Sequence, residues 1–65
     1  MDTPKHKTIY IIKSDIRELN KAYSLAAAKM LLSINKSECC HDVYVEVWKY
    51  NDTTGEWSVN VVDKL

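Results

Sequence analysis

The stretch Asp15-Ile16-Arg17-Glu18-Leu19-Asn20-Lys21-Ala22-Tyr23-Ser24-Leu25-Ala26-Ala27-Ala28-Lys29-Met30-Leu31-Leu32-Ser33-Ile34 decides how the rest of the chain is read. It holds no Gly and no Pro, and Leu, Ala, Lys and Met are the residue types that lose least on entering a helix. Ser14 or Asp15 supplies an N-cap, and Asp15 with Glu18 three residues on fits a capping box, with acid at the positive end of a helix dipole. Asn35 can adopt the left-handed conformation that ends a helix, and Lys29 and Lys36 suit its negative end. A helix is therefore predicted over 15–34. On a wheel of about 100° per residue, Ile16, Leu19, Tyr23, Ala26, Ala27, Met30 and Ile34 make the core stripe. Leu25, Ala28 and Leu32, spaced i, i+3, i+7, fall opposite and form a second apolar stripe suited to helix-to-helix contact between copies.

Working outward, residues 1–6 read as a tail and residues 7–13, β-branched and aromatic through Ile9, Tyr10, Ile11 and Ile12, as a strand. Downstream, 43–50 and 56–62 alternate Val with larger or polar residues and flank Asn51-Asp52-Thr53-Thr54-Gly55, a hairpin turn in which Gly55 supplies positive φ. The expected fold is α+β: a β-α-β-β domain spanning 1–65, with a three-stranded mixed sheet and one helix packed on one face. A helix between the first two strands makes them parallel, and the last strand is placed in the middle. A three-residue loop (Thr53, Thr54, Gly55) sends the valines and Trp57 toward the helix. It leaves Tyr10, Ile12, Tyr44, Trp48, Tyr50 and Val62 on the other face, with Glu46 among them. A four-residue loop shifts the register by one residue and puts both tryptophans on one face.

The chain of 65 residues is 46% hydrophobic and 28% charged, which is globular rather than disordered. A domain this small buries only about 60% of its unfolded surface, so self-association is an expected source of stability. No apolar run approaches a membrane span, and no secretory signal core is present at the start, so a cytoplasmic protein is expected. Formal charge is zero but lopsided. Residues 1–37 carry seven Lys/Arg against three Asp/Glu, and residues 38–65 carry two against six. Eight lysines against one arginine, with frequent Asn and Ile, fit an AT-rich coding sequence and a phage or bacterial accessory protein.

Chemistry-bearing patterns are sparse. Cys39, Cys40 and His41 adjoin one another, but structural zinc sites space their cysteines by two or more residues and require a second ligand pair that this sequence lacks. Neither a metal nor any other cofactor is expected. With Gly55 the sole glycine, no phosphate-cradling glycine loop can form. No nucleophile–base–orienter set is identifiable, and the reading is non-enzymatic. The remaining signal is the aromatic strand surface. Tyr10, Tyr44, Glu46, Trp48 and Tyr50 are the expected partner-binding residues, because Tyr and Trp dominate protein interfaces. Leu25, Ala28 and Leu32 are the expected oligomerisation residues. The expected function is a homo-oligomeric protein-binding regulator, adaptor or inhibitor, with a protein partner and no membrane. The alternative is a single-stranded nucleic-acid binder stacking bases on the aromatics. Against it, only Lys49 and Lys64 are basic in residues 38–65. An oligomeric enzyme with a site between subunits is the weakest reading.

Overall fold

The computed structural model of the chain describes residues 4–38 and 42–65. Two hairpins flank one helix: β1 (Thr8–Ser14), β2 (Arg17–Ala22), α1 (Leu25–Glu38), β3 (Val43–Asn51) and β4 (Glu56–Val62). The strands form one antiparallel sheet in the order β2-β1-β3-β4. The α+β class holds, but the sheet has four strands rather than three and is antiparallel rather than mixed. Residues 15–34 are the reason. The chain reverses at Asp15-Ile16, a two-residue loop closed by the Ser14 and Arg17 pair, in which Asp15 has φ 57°. Asp tolerates that left-handed region better than most residues. Because this reversal precedes the helix, β3 returns antiparallel to β1, and the last strand lies at an edge rather than in the middle.

Arg17–Ala22 contains no β-branched residue, so its extended state comes from pairing with β1, a case of tertiary context overriding propensity. Pairing slips between Ile12 (opposite Asn20) and Lys13 (opposite Glu18), which leaves Leu19 as the extra residue of a bulge, packed against the core. Ile16, placed in the core stripe by the longer helix, is 94% exposed at the turn.

The helix begins ten residues later than expected. Ser24 caps it: its Oγ accepts from the Ala27 N–H at 3.2 Å, and its carbonyl accepts from the Ala28 N–H at 3.0 Å. Asn35 is not its terminator, since the helix runs on to Glu38. Asn35 instead donates to the Leu31 carbonyl and to Asn20 Oδ1, both at 2.7 Å, tying α1 to β2. With Ile16, Leu19 and Tyr23 outside the helix, the side that faces the sheet is reversed. Ala28 and Leu32 are buried while Met30 and Ile34 are exposed.

The core is Ile12, Leu32, Val43, Val45 and Val47, bordered by Tyr10, Leu19, Leu31, Val62 and Leu65. Ile12 and Val45, directly opposite each other on β1 and β3, are fully buried. Among the described residues α1 lies over β2, β1 and β3 and leaves β4 outside its footprint. No helix among them is long and apolar enough to cross a membrane.

Candidate functional site

Strand alternation gives each side chain one of two faces. The register fixes which residues lie opposite the helix side. Ile9, Trp48 and Val59 form one row across β1, β3 and β4, and Ile11, Glu46 and Val61 form the next. Tyr50 and Trp57 make a third row toward the β3–β4 loop, and Lys13 and Tyr44 a fourth toward the β1–β2 turn. No element of the described chain covers this face. It is apolar and aromatic along most of its length, where a sheet backed by one helix ordinarily presents polar residues.

The aromatic part is ordered by ring contacts. Trp48 and Trp57 meet edge to face with centroids 6.3 Å apart, and Tyr50 lies tilted against Trp57 at 5.3 Å. Such pairs contribute about 0.5–1.5 kcal/mol each beyond their buried area. Glu46 holds the arrangement from within the face. Its Oε2 is 3.2 Å from Lys13 Nζ, and its Oε1 accepts from the Trp48 indole N–H at 3.2 Å. Both side chains of the ion pair are about one-fifth exposed, so the pair is largely shielded from salt. A carboxylate with both oxygens engaged is a positioning group: it sets the plane of the Trp48 ring. At one end the Tyr44 hydroxyl donates to the Asp15 carbonyl, fastening β3 to the first hairpin. At the other, Lys7 pairs with Asp52 at 2.6 Å.

The β3–β4 loop determines which residues share this face. Asn51 pairs with Glu56, so the loop is the four residues Asp52–Gly55. Asn51 Oδ1 accepts from the Thr53 and Thr54 N–H groups at 2.8 and 3.4 Å, and its carbonyl accepts from the Gly55 N–H at 2.7 Å. Gly55 closes the turn at φ 73°, a conformation strained for residues with a Cβ. A two-residue side-chain anchor at Asn51 is the signal in the sequence that favours four residues over three.

Four of the five expected binding residues, Tyr44, Glu46, Trp48 and Tyr50, therefore come together. Tyr10 does not: it lies opposite Val47 on the helix side and packs against the core. Ile12 and Val62, also expected on the aromatic face, are on the helix side as well. Trp57, expected in the core, is 37% exposed beside Trp48, and Val59 and Val61 accompany it. Ile9 and Ile11 complete the face and lie outside the expected binding set. The expected oligomerisation stripe is not a surface, because Ala28 and Leu32 are buried under α1 and only Leu25 remains exposed. Cys39, Cys40 and His41 lie outside the described residues. Compared with family models, with curated proteins and with solved structures, the chain finds no match.

Proposed function

We propose that the chain is a non-enzymatic protein-binding module, of the regulator, adaptor or inhibitor type, whose partner covers the helix-free face of the sheet. The observation that carries this reading is the Trp48–Trp57–Tyr50 cluster on an uncovered face, with its orienting carboxylate already satisfied. Aromatic anchors that are held in place before binding lose little entropy when a partner arrives. The flanking Ile9, Ile11, Val59 and Val61 supply apolar area that only a macromolecular surface of similar size can cover.

Three aromatic rings on an open sheet also resemble a base-stacking platform. Phosphate attraction, which supplies most nucleic-acid affinity, is weak on this face. Lys7 and Lys13 are already paired with Asp52 and Glu46, leaving Lys21 as the cation without an ion pair on this face among the described residues.

The test is affinity capture from a lysate of the native host, with and without nuclease, using the wild-type chain, Trp48→Ala and Leu25→Ala. The expected result is a protein held by wild type and by Leu25→Ala, insensitive to nuclease and lost with Trp48→Ala. Circular dichroism should show Trp48→Ala folded. Retention by folded Trp48→Ala, or capture of nucleic acid alone, defeats the reading.

A further inference from the structure

The two edges of the sheet are built differently. β2 carries Arg17, Glu18 and Lys21 within six residues, is bulged at Leu19, and has α1 packed on it. Charges, a bulge and a covering helix are the devices by which edge strands avoid pairing with other chains. Apart from Glu56 at its first position, β4 has none of them. From Trp57 to Val62 it has no charge, no Pro and no Gly, its pairing with β3 is unbroken over seven residues, and it lies beyond the helix. Its residues from Glu56 to Val61 are exposed, with Val61 at 64%.

We infer that a second copy of the chain pairs antiparallel with β4 along this free edge, about a two-fold axis at Val59, joining the two sheets into one of eight strands. The register follows from two requirements. Opposed residues in an antiparallel pair share a face, so only a two-fold axis centred on a residue keeps the helices of both copies on one side. Centring it on Val59 is the choice that pairs the whole of Glu56–Val62. Val59 then meets itself, Trp57 meets the second copy's Val61, and Ser58 meets its Asn60.

Charge also favours a copy of the same chain. No like charges are opposed anywhere along the pairing. Glu56 of one copy lies opposite Val62 of the other, with Lys64 two residues further on and on the same side. Glu56 and Lys64 have no ion-pair partner among the described residues, and the two-fold axis brings them together twice. The consequence for the binding face is direct: the apolar rows of both copies run on into one another, so one partner can span them.

The inference stands apart from the identity of that partner, and its test uses the isolated chain. Sedimentation velocity over a concentration series should give a dimer for wild type. Val59→Lys and Val59→Glu should each weaken association by about tenfold or more, since each places like charges opposite one another on the axis. An equimolar mixture of the two should recover a one-to-one dimer, a rescue that also shows both variants to be folded. In wild type, hydrogen exchange at β4 amides should slow as protein concentration rises, a readout that needs no variant. Trp48→Ala should leave the dimer intact, so loss of capture and loss of dimer are separable. A wild-type monomer at millimolar concentration overturns the inference, as does undiminished dimerisation of Val59→Lys or a mixture that fails to associate.

Discussion

The two faces of the sheet use opposite solutions to the same problem. The face beneath α1 is built from Ile12, Val43, Val45 and Val47, branched side chains that fill a layer with almost no exposure. The other face is built from Trp48, Trp57 and Tyr50, large rings held at defined angles by one another and by Glu46, with no layer above them among the described residues. Close packing determines stability on the first. Orientation of partly exposed groups is what the second offers to the partner proposed for it. Substitutions on the first should therefore register in unfolding, and substitutions on the second mainly in association.

Ile12→Ala tests this at its strongest point. Removing a fully buried side chain opposite Val45 should cost about 2–5 kcal/mol, read from the shift of a denaturant midpoint. Glu46→Ala comes next, at about 1–2 kcal/mol, because it leaves Lys13 and the Trp48 indole N–H without their shared acceptor. Its more specific signature is a change in tryptophan emission as the Trp48 ring loses its anchor. Trp57→Ala removes two ring contacts, to Trp48 and Tyr50, at a partly exposed site and should cost about 1–2 kcal/mol, with the helical circular dichroism preserved. A loss as large as that of Ile12→Ala would erase the distinction between the faces. The smallest effect has the opposite sign. The Ser14 hydroxyl is buried on the helix side with no hydrogen-bond partner among the described residues, so Ser14→Ala should raise stability by up to about 1 kcal/mol. Destabilisation there would reveal a partner for that hydroxyl.

Much of this was readable from residue types and spacing, and the failures have identifiable causes. The hairpin strands 43–50 and 56–62, the helix over Leu25–Ile34 and the placement of four of the five expected binding residues follow from alternation, composition and turn chemistry. Arg17–Ala22 was hidden because Glu, Leu, Lys and Ala are good helix formers, and nothing local distinguishes a strand that depends on its neighbour. Taking Asp15 as a helix cap brings Ile16, Leu19 and Tyr23 into the helical wheel and turns its apparent core away from Ala28 and Leu32. Ser24, the cap the structure uses, stands before the helix-favouring run Leu25-Ala26-Ala27-Ala28. The face of Trp57 turns on a single residue of loop length, four rather than three. In a strand of period two that is enough to send a tryptophan from one face to the other.

The strand order β2-β1-β3-β4 also constrains how the chain reaches this state. Each hairpin closes over a loop of two or four residues and can form on the microsecond scale without help from the rest of the molecule. The seam between β1 and β3 is different, since it joins residues such as Ile12 and Val45 from opposite sides of the helix. Its loop-closure entropy must be met before its contacts are gained, which places the docking of two preformed hairpins at the folding barrier. Weakening the seam should slow refolding, whereas loosening the far rim of β4 should chiefly hasten unfolding. The central pair of strands thus governs how fast the molecule is made, and the outer strand how long it lasts.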